Sequence, residues 1–266
     1  MIFKLSRLRS FIRGLINIKY TDSTFSLAMS YHESTMQPEA LQPYDSNITF
    51  KIYPNTKRVP LKQKLMTSSE NSTDEFARVL LSRQSIRSFS EEGVSLNALS
   101  CLLSLSFGLR AKDKSATFRT YASAGARYPI EVYVFVFKSC DIDMGIYHYN
   151  VLENCLELLK SGDYSDEIFD FYNITDNGII SKFPCLILFT ATFSRTMQKY
   201  GERGYRFVML DTGHMSQNLY LVASYLNMGA VALGGGRYSD QKLDDLLGLR
   251  VVEENAFYGF AVGHPK

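Results

Sequence analysis

Arg83-Gln84-Ser85-Ile86-Arg87 places two guanidinium groups and a hydroxyl at alternate positions. A guanidinium is a fixed fork of donors that pairs bidentately with phosphate oxygens, and a serine hydroxyl adds one more short bond. The spacing suits a phosphate grip, although Arg/Ser alternation also occurs on solvated surfaces. Lys199-Tyr200 is a second candidate. A phenol with an ordinary pKa of about 10 is a weak base at neutral pH, and an adjacent ammonium favours its phenolate. The pair suits proton abstraction if the two side chains converge, and is otherwise an ordinary exposed pair.

Two further segments supply backbone rather than side chains. Ser123-Ala124-Gly125 opens a stretch of small residues closed by Pro129. It is either a tight turn before a strand or a place where backbone closely approaches a flat ligand. Gly234-Gly235-Gly236 is either a hinge or a loop whose N–H groups face an anion. It is not G-x-G-x-x-G in a βαβ unit, so a Rossmann dinucleotide site is a poor fit. The histidines at 32, 148, 214 and 264 are scattered, and no G-x-S-x-G elbow accompanies them. His214, within a long helical pattern, reads as a core or polar-face residue. Cys101, Cys140, Cys155 and Cys185 show no C-x-x-C spacing, so neither a zinc site nor a disulfide framework is expected. Buried free thiols in a reducing cytoplasm are the simplest account.

The elements that must position these residues follow from patterning. Glu75 to Leu81 reads as a helix capped by Asp74, and Leu96 to Phe107 as one capped by Ser95. Ile130 to Phe137 reads as a strand, 146–149 and 155–159 as a hairpin, and Cys185 to Thr192 as a strand buried on both faces. Tyr205 to Asn227 is the longest helical pattern, with Met215, Leu219, Val222 and Leu226 on one stripe and Gly229 ending it. Val231 to Leu233 is short and apolar, Asp240 to Leu247 helical, and Ala256 to Val262 a last strand. Helices and strands interleave without a βαβ repeat, which predicts α+β.

The chain of 266 residues has room for one large domain with an appendage. Residues 1–72 are poorly periodic and broken by Pro38, Pro43, Pro54 and Pro60, so they read as an N-terminal extension to a domain at 73–266. A net charge of +2 argues against a nucleic-acid binder that relies on a strong basic field. No apolar run approaches the roughly 20 residues of a transmembrane helix. The first 19 residues are basic and weakly amphipathic, but arginines interrupt any signal-peptide core.

Taken in order, these segments resemble the flavin-dependent nitroreductase-like fold and, more narrowly, the SagB/ThcOx family of azoline dehydrogenases. Tyr31-His32-Glu33-Ser34-Thr35 and the stretch from Phe50 to Leu61 are similar to that family's N-terminal signatures, which plain nitroreductases lack. Arg83/Ser85/Arg87, Ser123 to Pro129, Gly213 to Asn218 and Val262 to Pro265 match in order. The resemblance implies a mainly antiparallel sheet flanked by helices and FMN held at a homodimer interface. Arg83, Ser85 and Arg87 would hold the flavin phosphate or ribityl chain. Ser123, Ala124 and Gly125 would come from the partner subunit, Gly234, Gly235 and Gly236 would support the flavin, and Gln217 and Asn218 would lie near it or brace the dimer helix. Lys199-Tyr200 matches the pair placed beside the isoalloxazine. Two positions depart from the pattern: Ala122 stands where a proline is usual, and Arg237 where an aromatic is usual. Arg237 would then meet phosphate or a substrate carboxylate instead.

The implied reaction oxidises a thiazoline or oxazoline in a ribosomally made peptide to the thiazole or oxazole. Tyr200 would take the α-proton with help from Lys199, and FMN would take the hydride and pass electrons to dioxygen. A cyclodehydratase complex and a precursor peptide are the implied partners, with the extension a docking candidate. Two rivals are an NAD(P)H-dependent nitro- or quinone reductase on the same fold and a catalytically silent FMN-binding scaffold subunit. No metal is expected.

Overall fold

The computed structural model describes residues 26–36, 50–51, 54, 56–60, 75–112, 117–175, 178–250 and 253–266. The chain divides into two compact units, one formed by residues 1–38 and 83–266 and the other by residues 39–82. The smaller unit contributes helix α2 (Glu75–Ser82), whose first turn pairs Glu75 with Arg78 at 3.6 Å. Asp74, read as its cap, lies outside the described residues, as does the basic stretch 1–19.

The larger unit contains α1 (Ser26–Thr35), α3 (Leu96–Phe107), β1 (Leu109–Lys112), β2 (Thr117–Arg119), β3 (Ile130–Val136), β4 (Gly145–Asn150), β5 (Cys155–Ser161), α4 (Ser165–Phe171), β6 (Cys185–Ala191), α5 (Ser194–Tyr200), α6 (Arg203–Tyr225), β7 (Gly229–Leu233), α7 (Gln241–Leu247) and β8 (Asn255–Gly263). Among the described residues, β3 to β8 form a six-stranded sheet in the order β5-β4-β3-β6-β8-β7, and every neighbouring pair is antiparallel. The fold is α+β, as the interleaving predicts.

Alternation along the strands makes two cores. Ile130, Val132, Val134 and Val136 face one side, where Leu99, Leu102, Leu103 and Phe107 of α3 and Val208, Met215 and Leu219 of α6 cover them. Phe135 faces the other side, with Ile168 and Phe171 of α4 and Leu243 of α7. β6 lies at the centre, and all seven of its residues are buried, which explains its near-continuous apolar run, broken only by Thr190. Ser95 caps α3 by accepting the Ala98 N–H at 3.2 Å.

Three expectations change. The residue that turns the chain after α6 is Asn227, at φ 56°, while Gly229 opens β7. Gly229 is needed there because a Cβ would collide with Ile86. Of the cysteines, only Cys185 is buried; Cys101 is intermediate, Cys140 is exposed in the loop after β3, and Cys155 is exposed because β5 is an edge strand open to solvent. Finally, the segment around His32, read as poorly periodic, contains a ten-residue helix.

Candidate active site

Lys199 and Tyr200 close α5, directly before Gly201 at φ 59°. Their polar heads converge. A Cβ built on Gly125 would lie 2.5 Å from the Tyr200 hydroxyl and 2.7 Å from Lys199 Nζ. The sum of those distances bounds the separation of the two groups, so a phenol and an ammonium share one small volume above the Gly125 backbone. Nζ also lies 5.3 Å from the centre of the Tyr200 ring, within cation–π reach. On its other side the Tyr200 ring meets Phe207 edge-on at 4.9 Å, and Phe207 in turn faces the Arg203 guanidinium at 5.8 Å. A glycine at 125 is required twice over, by this contact and by its φ of 61°.

The turn that presents Gly125 is strained and over-determined. Ala126 and Tyr128 also have positive φ, at 54° and 46°, which is uncommon without glycine and unusual for a bulky side chain. Ser123 Oγ donates to Asp211 Oδ2 at 2.5 Å and accepts the Tyr128 N–H at 2.9 Å. The Ala124 N–H donates to the other Asp211 oxygen at 3.2 Å. Asp211 is 1% exposed; burial pushes its carboxyl above the usual range, against the pull of the Ser123 and Ala124 bonds. His214 Nδ1 donates to the Ala122 carbonyl at 2.9 Å, so the position that lacks the expected proline is tied to α6 instead. Asn218 Nδ2, one turn further along α6, donates to the carbonyls of Ser106 at 3.2 Å and Thr120 at 3.4 Å.

A second set of bonds joins the turn to α5. Arg195 Nη1 donates to the Tyr128 carbonyl at 3.2 Å and to Glu131, while Arg127 Nε donates to the Arg195 carbonyl at 2.8 Å. Burial works to raise the Glu131 carboxyl, but the bond to His148 and the Arg195 charge outweigh it and hold it low. His148 bridges Glu131 at 3.3 Å and Glu157 at 2.9 Å, and the bond to Glu131 leads in raising its imidazole above the ordinary value. Asp211, Arg195 and Glu131 were not singled out from sequence. One signal existed for Asp211: it stands four residues before Met215, a carboxylate in line with the apolar stripe of α6.

Arg83, Ser85 and Arg87 run beside β7. The Ile86 N–H donates to the Ala230 carbonyl at 3.1 Å, and Ile86 fills the space above Gly229. The Arg83 guanidinium lies 5.5 Å over the Tyr220 ring, whose hydroxyl accepts the Ala232 N–H at 2.8 Å. Arg83 and Gly234 therefore belong to the same end of β7. Among the described residues neither Arg83 nor Arg87 has a carboxylate partner, and no atom lies within 4 Å of a Cβ position on Gly234 or Gly235. Guanidinium forks without a carboxylate partner among the described residues suit an anionic group such as a phosphate, with Arg83 toward the Gly234 end of β7 and Arg87, next to Ile86 over Gly229, toward its other end. Gly236 instead packs against the Phe171 ring. Arg237 pairs with Asp170 at 3.4 Å and donates its N–H to the Phe171 carbonyl at 2.5 Å, so α4 occupies it. Gln217 is exposed on α6. Among the described residues no cluster of His, Cys, Asp and Glu could hold a metal, and no helix is long and apolar enough to cross a membrane.

An antiparallel sheet between helical layers, with an anion-ready end and a separate Lys–Tyr pair joined by one long helix, is the architecture of a nitroreductase fold. Residues 80–264 match the nitroreductase family, and the chain belongs to that family. MJ1384 of Methanocaldococcus jannaschii is 29% identical over 172 residues, covering 65% of this chain and 83% of that protein. The trifolitoxin-processing protein TfxB of Rhizobium leguminosarum is 33% identical over 109 residues, covering 40% of this chain and 29% of TfxB. The microcin B17-processing protein McbC of Escherichia coli is 28% identical over 120 residues, covering 44% of each chain. The match thus spans less than half the length of both peptide-processing relatives. Among solved structures, a chain of the E. coli microcin synthetase McbBCD complex superposes with a TM-score of 0.65 at 22% identity, covering 83% of this chain and 79% of that one. The likeness to McbC and TfxB agrees with the SagB/ThcOx resemblance in the motifs.

Proposed function

We propose that the protein is an FMN-dependent dehydrogenase that oxidises thiazoline or oxazoline rings of a ribosomally made peptide to thiazole or oxazole. The convergence of the Lys199 ammonium and Tyr200 hydroxyl above Gly125 carries this reading, because a nitro- or quinone reductase needs no such base. Similarity to two proteins named for processing microcin B17 and trifolitoxin supports a peptide substrate.

Arg83, Ser85 and Arg87 would hold the cofactor phosphate or ribityl chain, and the open backbone of Gly234 and Gly235 would support the cofactor, with Gly236 seated on Phe171 behind them. When bound, FMN supplies the two-electron acceptor for the hydride that leaves the ring. Tyr200 takes the ring's α-proton, and the ring gains its second double bond as proton and hydride depart. The Lys199 ammonium stabilises the negative charge that develops as the proton is taken. Asp211 holds the Ser123 turn, which keeps Gly125 flat under both groups and, in a homodimer, presents Ser123, Ala124 and Gly125 to the partner's cofactor. Gln217, exposed on α6, lies toward that interface. Docking to a cyclodehydratase falls to the part of the 1–72 extension outside α1.

The test offers the purified protein, reconstituted with FMN, an azoline-containing peptide under air. The expected result is a loss of two mass units per ring, abolished in Lys199→Ala and Tyr200→Phe. An intact azoline together with rapid NADPH oxidation by a nitroaromatic would make the protein a reductase. An intact azoline without any turnover, in a protein that a cyclodehydratase still requires, would make it a scaffold.

A further inference from the structure

We propose that helix α1 is a clamp that fixes the Lys199–Tyr200 end of α5, with Glu202 and His32 as its positioning residues; the inference rests on the catalytic reading of that pair. Gly201 follows Tyr200 directly, and no atom of the described residues lies within 4 Å of a Cβ position on it. Gly201 itself, at positive φ, adds no side-chain packing to the elbow, which is held within α5 and α6 by the Gly201 N–H to the Met197 carbonyl at 2.8 Å and by Gly204 seated on Met197. Helix α1 adds a second brace from outside, on both sides of the pair.

After the pair, Glu202 accepts the Ala28 N–H at 2.7 Å. Ala28 lies in the first turn of α1, where N–H groups lack intrahelical partners and the helix end is partially positive. The elbow carboxylate therefore caps α1, and α1 in return holds the elbow. One turn along, His32 is 4% exposed. Its ring meets Phe193 edge-on at 4.7 Å, and Nδ1 faces the Tyr205 hydroxyl at 3.5 Å. Phe193 immediately precedes α5, Tyr205 lies in the first turn of α6, and their two rings stack at 5.5 Å. A single imidazole thus touches the residues that enter and leave the segment carrying Lys199 and Tyr200. The far end of α1 is tied down as well, since the Met36 carbonyl accepts the Asp240 N–H at 3.2 Å.

Packing alone does not account for a histidine here. Among the described residues Nε2 of His32 is buried without a hydrogen-bond partner, and burial lowers the imidazole to about 4, so the ring is neutral. A phenyl or leucyl side chain would fill the space without an unpaired nitrogen, which carries a desolvation cost. What the imidazole adds is a polar edge directed at Tyr205, which sets the angle at which α6 leaves the elbow.

The experiment uses the full FMN-loaded chain and compares wild type with His32→Ala, Glu202→Ala, Glu202→Gln and Tyr200→Phe. Amide hydrogen exchange of the 194–203 segment is expected to rise about tenfold in both alanine variants, the loss of one buried or charge-assisted contact. On an azoline peptide, kcat should fall by about the same factor with KM unchanged, since substrate binding is untouched. Glu202→Gln keeps an acceptor oxygen and should restore both readouts. Exchange that is unchanged at 194–203, or raised uniformly through the chain, overturns the clamp. So does full turnover in the alanine variants when Tyr200→Phe is inactive. Full turnover in Tyr200→Phe as well overturns the catalytic reading itself, a result that the exchange pattern does not produce.

Discussion

Asp211, buried in the middle of a 23-residue helix, accepts the Ser123 hydroxyl at 2.5 Å and so fixes a turn that lies 88 positions away in sequence. Its second oxygen takes the Ala124 N–H. Replacing Asp211 with Asn leaves one carbonyl oxygen for two donors, and one of them stays buried and unpaired. Asp211→Asn should therefore lower stability by about 1–3 kcal/mol, read from denaturant midpoints. Ser123→Ala should cost less in stability but should also loosen Tyr128, whose N–H loses its acceptor. A midpoint for Asp211→Asn equal to wild type would show that the turn is held by its other bonds alone.

Gly125→Ala tests the convergence of the candidate catalytic pair. The added methyl meets the Tyr200 hydroxyl and the Lys199 ammonium and sits on a backbone at φ 61°. The backbone cost is on the order of 1–2 kcal/mol, yet the larger effect should be on turnover, because both polar heads must move. An active Gly125→Ala enzyme with unaltered kcat would mean that the pair takes its working position elsewhere.

Much of this arrangement was legible in the sequence, and what was missed has a physical reason. Ser95 as a cap, the β4–β5 hairpin and the buried run of β6 were readable because each is a local pattern with a local cause. The seven-residue helices α4 and α5 were not, although α7, equally short and without a side-chain cap, was. Such helices are stabilised by tertiary packing rather than propensity. Lys199-Tyr200 stood out as a pair, but nothing in its spacing revealed that Gly125 lies beneath it. Asp211 and Arg195 anchor the turn through contacts 88 and 67 positions apart, a distance at which sequence patterns carry no signal.

His148 predicts a pH-dependent contribution to stability. Its imidazole is raised above the ordinary histidine value of 6.5, mainly by the bond to Glu131, so the folded protein holds the proton more tightly than the unfolded chain. The stabilisation is complete below the unfolded value and is lost as pH rises through the higher folded value. Comparing Tm for wild type and His148→Gln from about pH 5 to about pH 9 should show a gap of a few degrees that closes toward the alkaline end. A gap that stays constant with pH would mean the His148 contacts act without the imidazole's charge.

Arg83, Arg87 and Arg237 separate the cofactor grip from its neighbourhood. Arg83 and Arg87 lack carboxylate partners among the described residues, whereas Arg237 already pairs with Asp170 at the surface. If the first two hold a phosphate, Arg83→Ala and Arg87→Ala should each weaken FMN binding about 10- to 100-fold, the value of one charge-assisted bond. Arg237→Ala removes only an exposed ion pair worth less than about 1 kcal/mol and should leave the affinity unchanged. Quenching of FMN fluorescence on titration with apoprotein measures all three. The assignment turns on their order: a loss in Arg237→Ala equal to that in Arg83→Ala would move the phosphate from the Arg83–Arg87 segment beside β7 to the loop after β7.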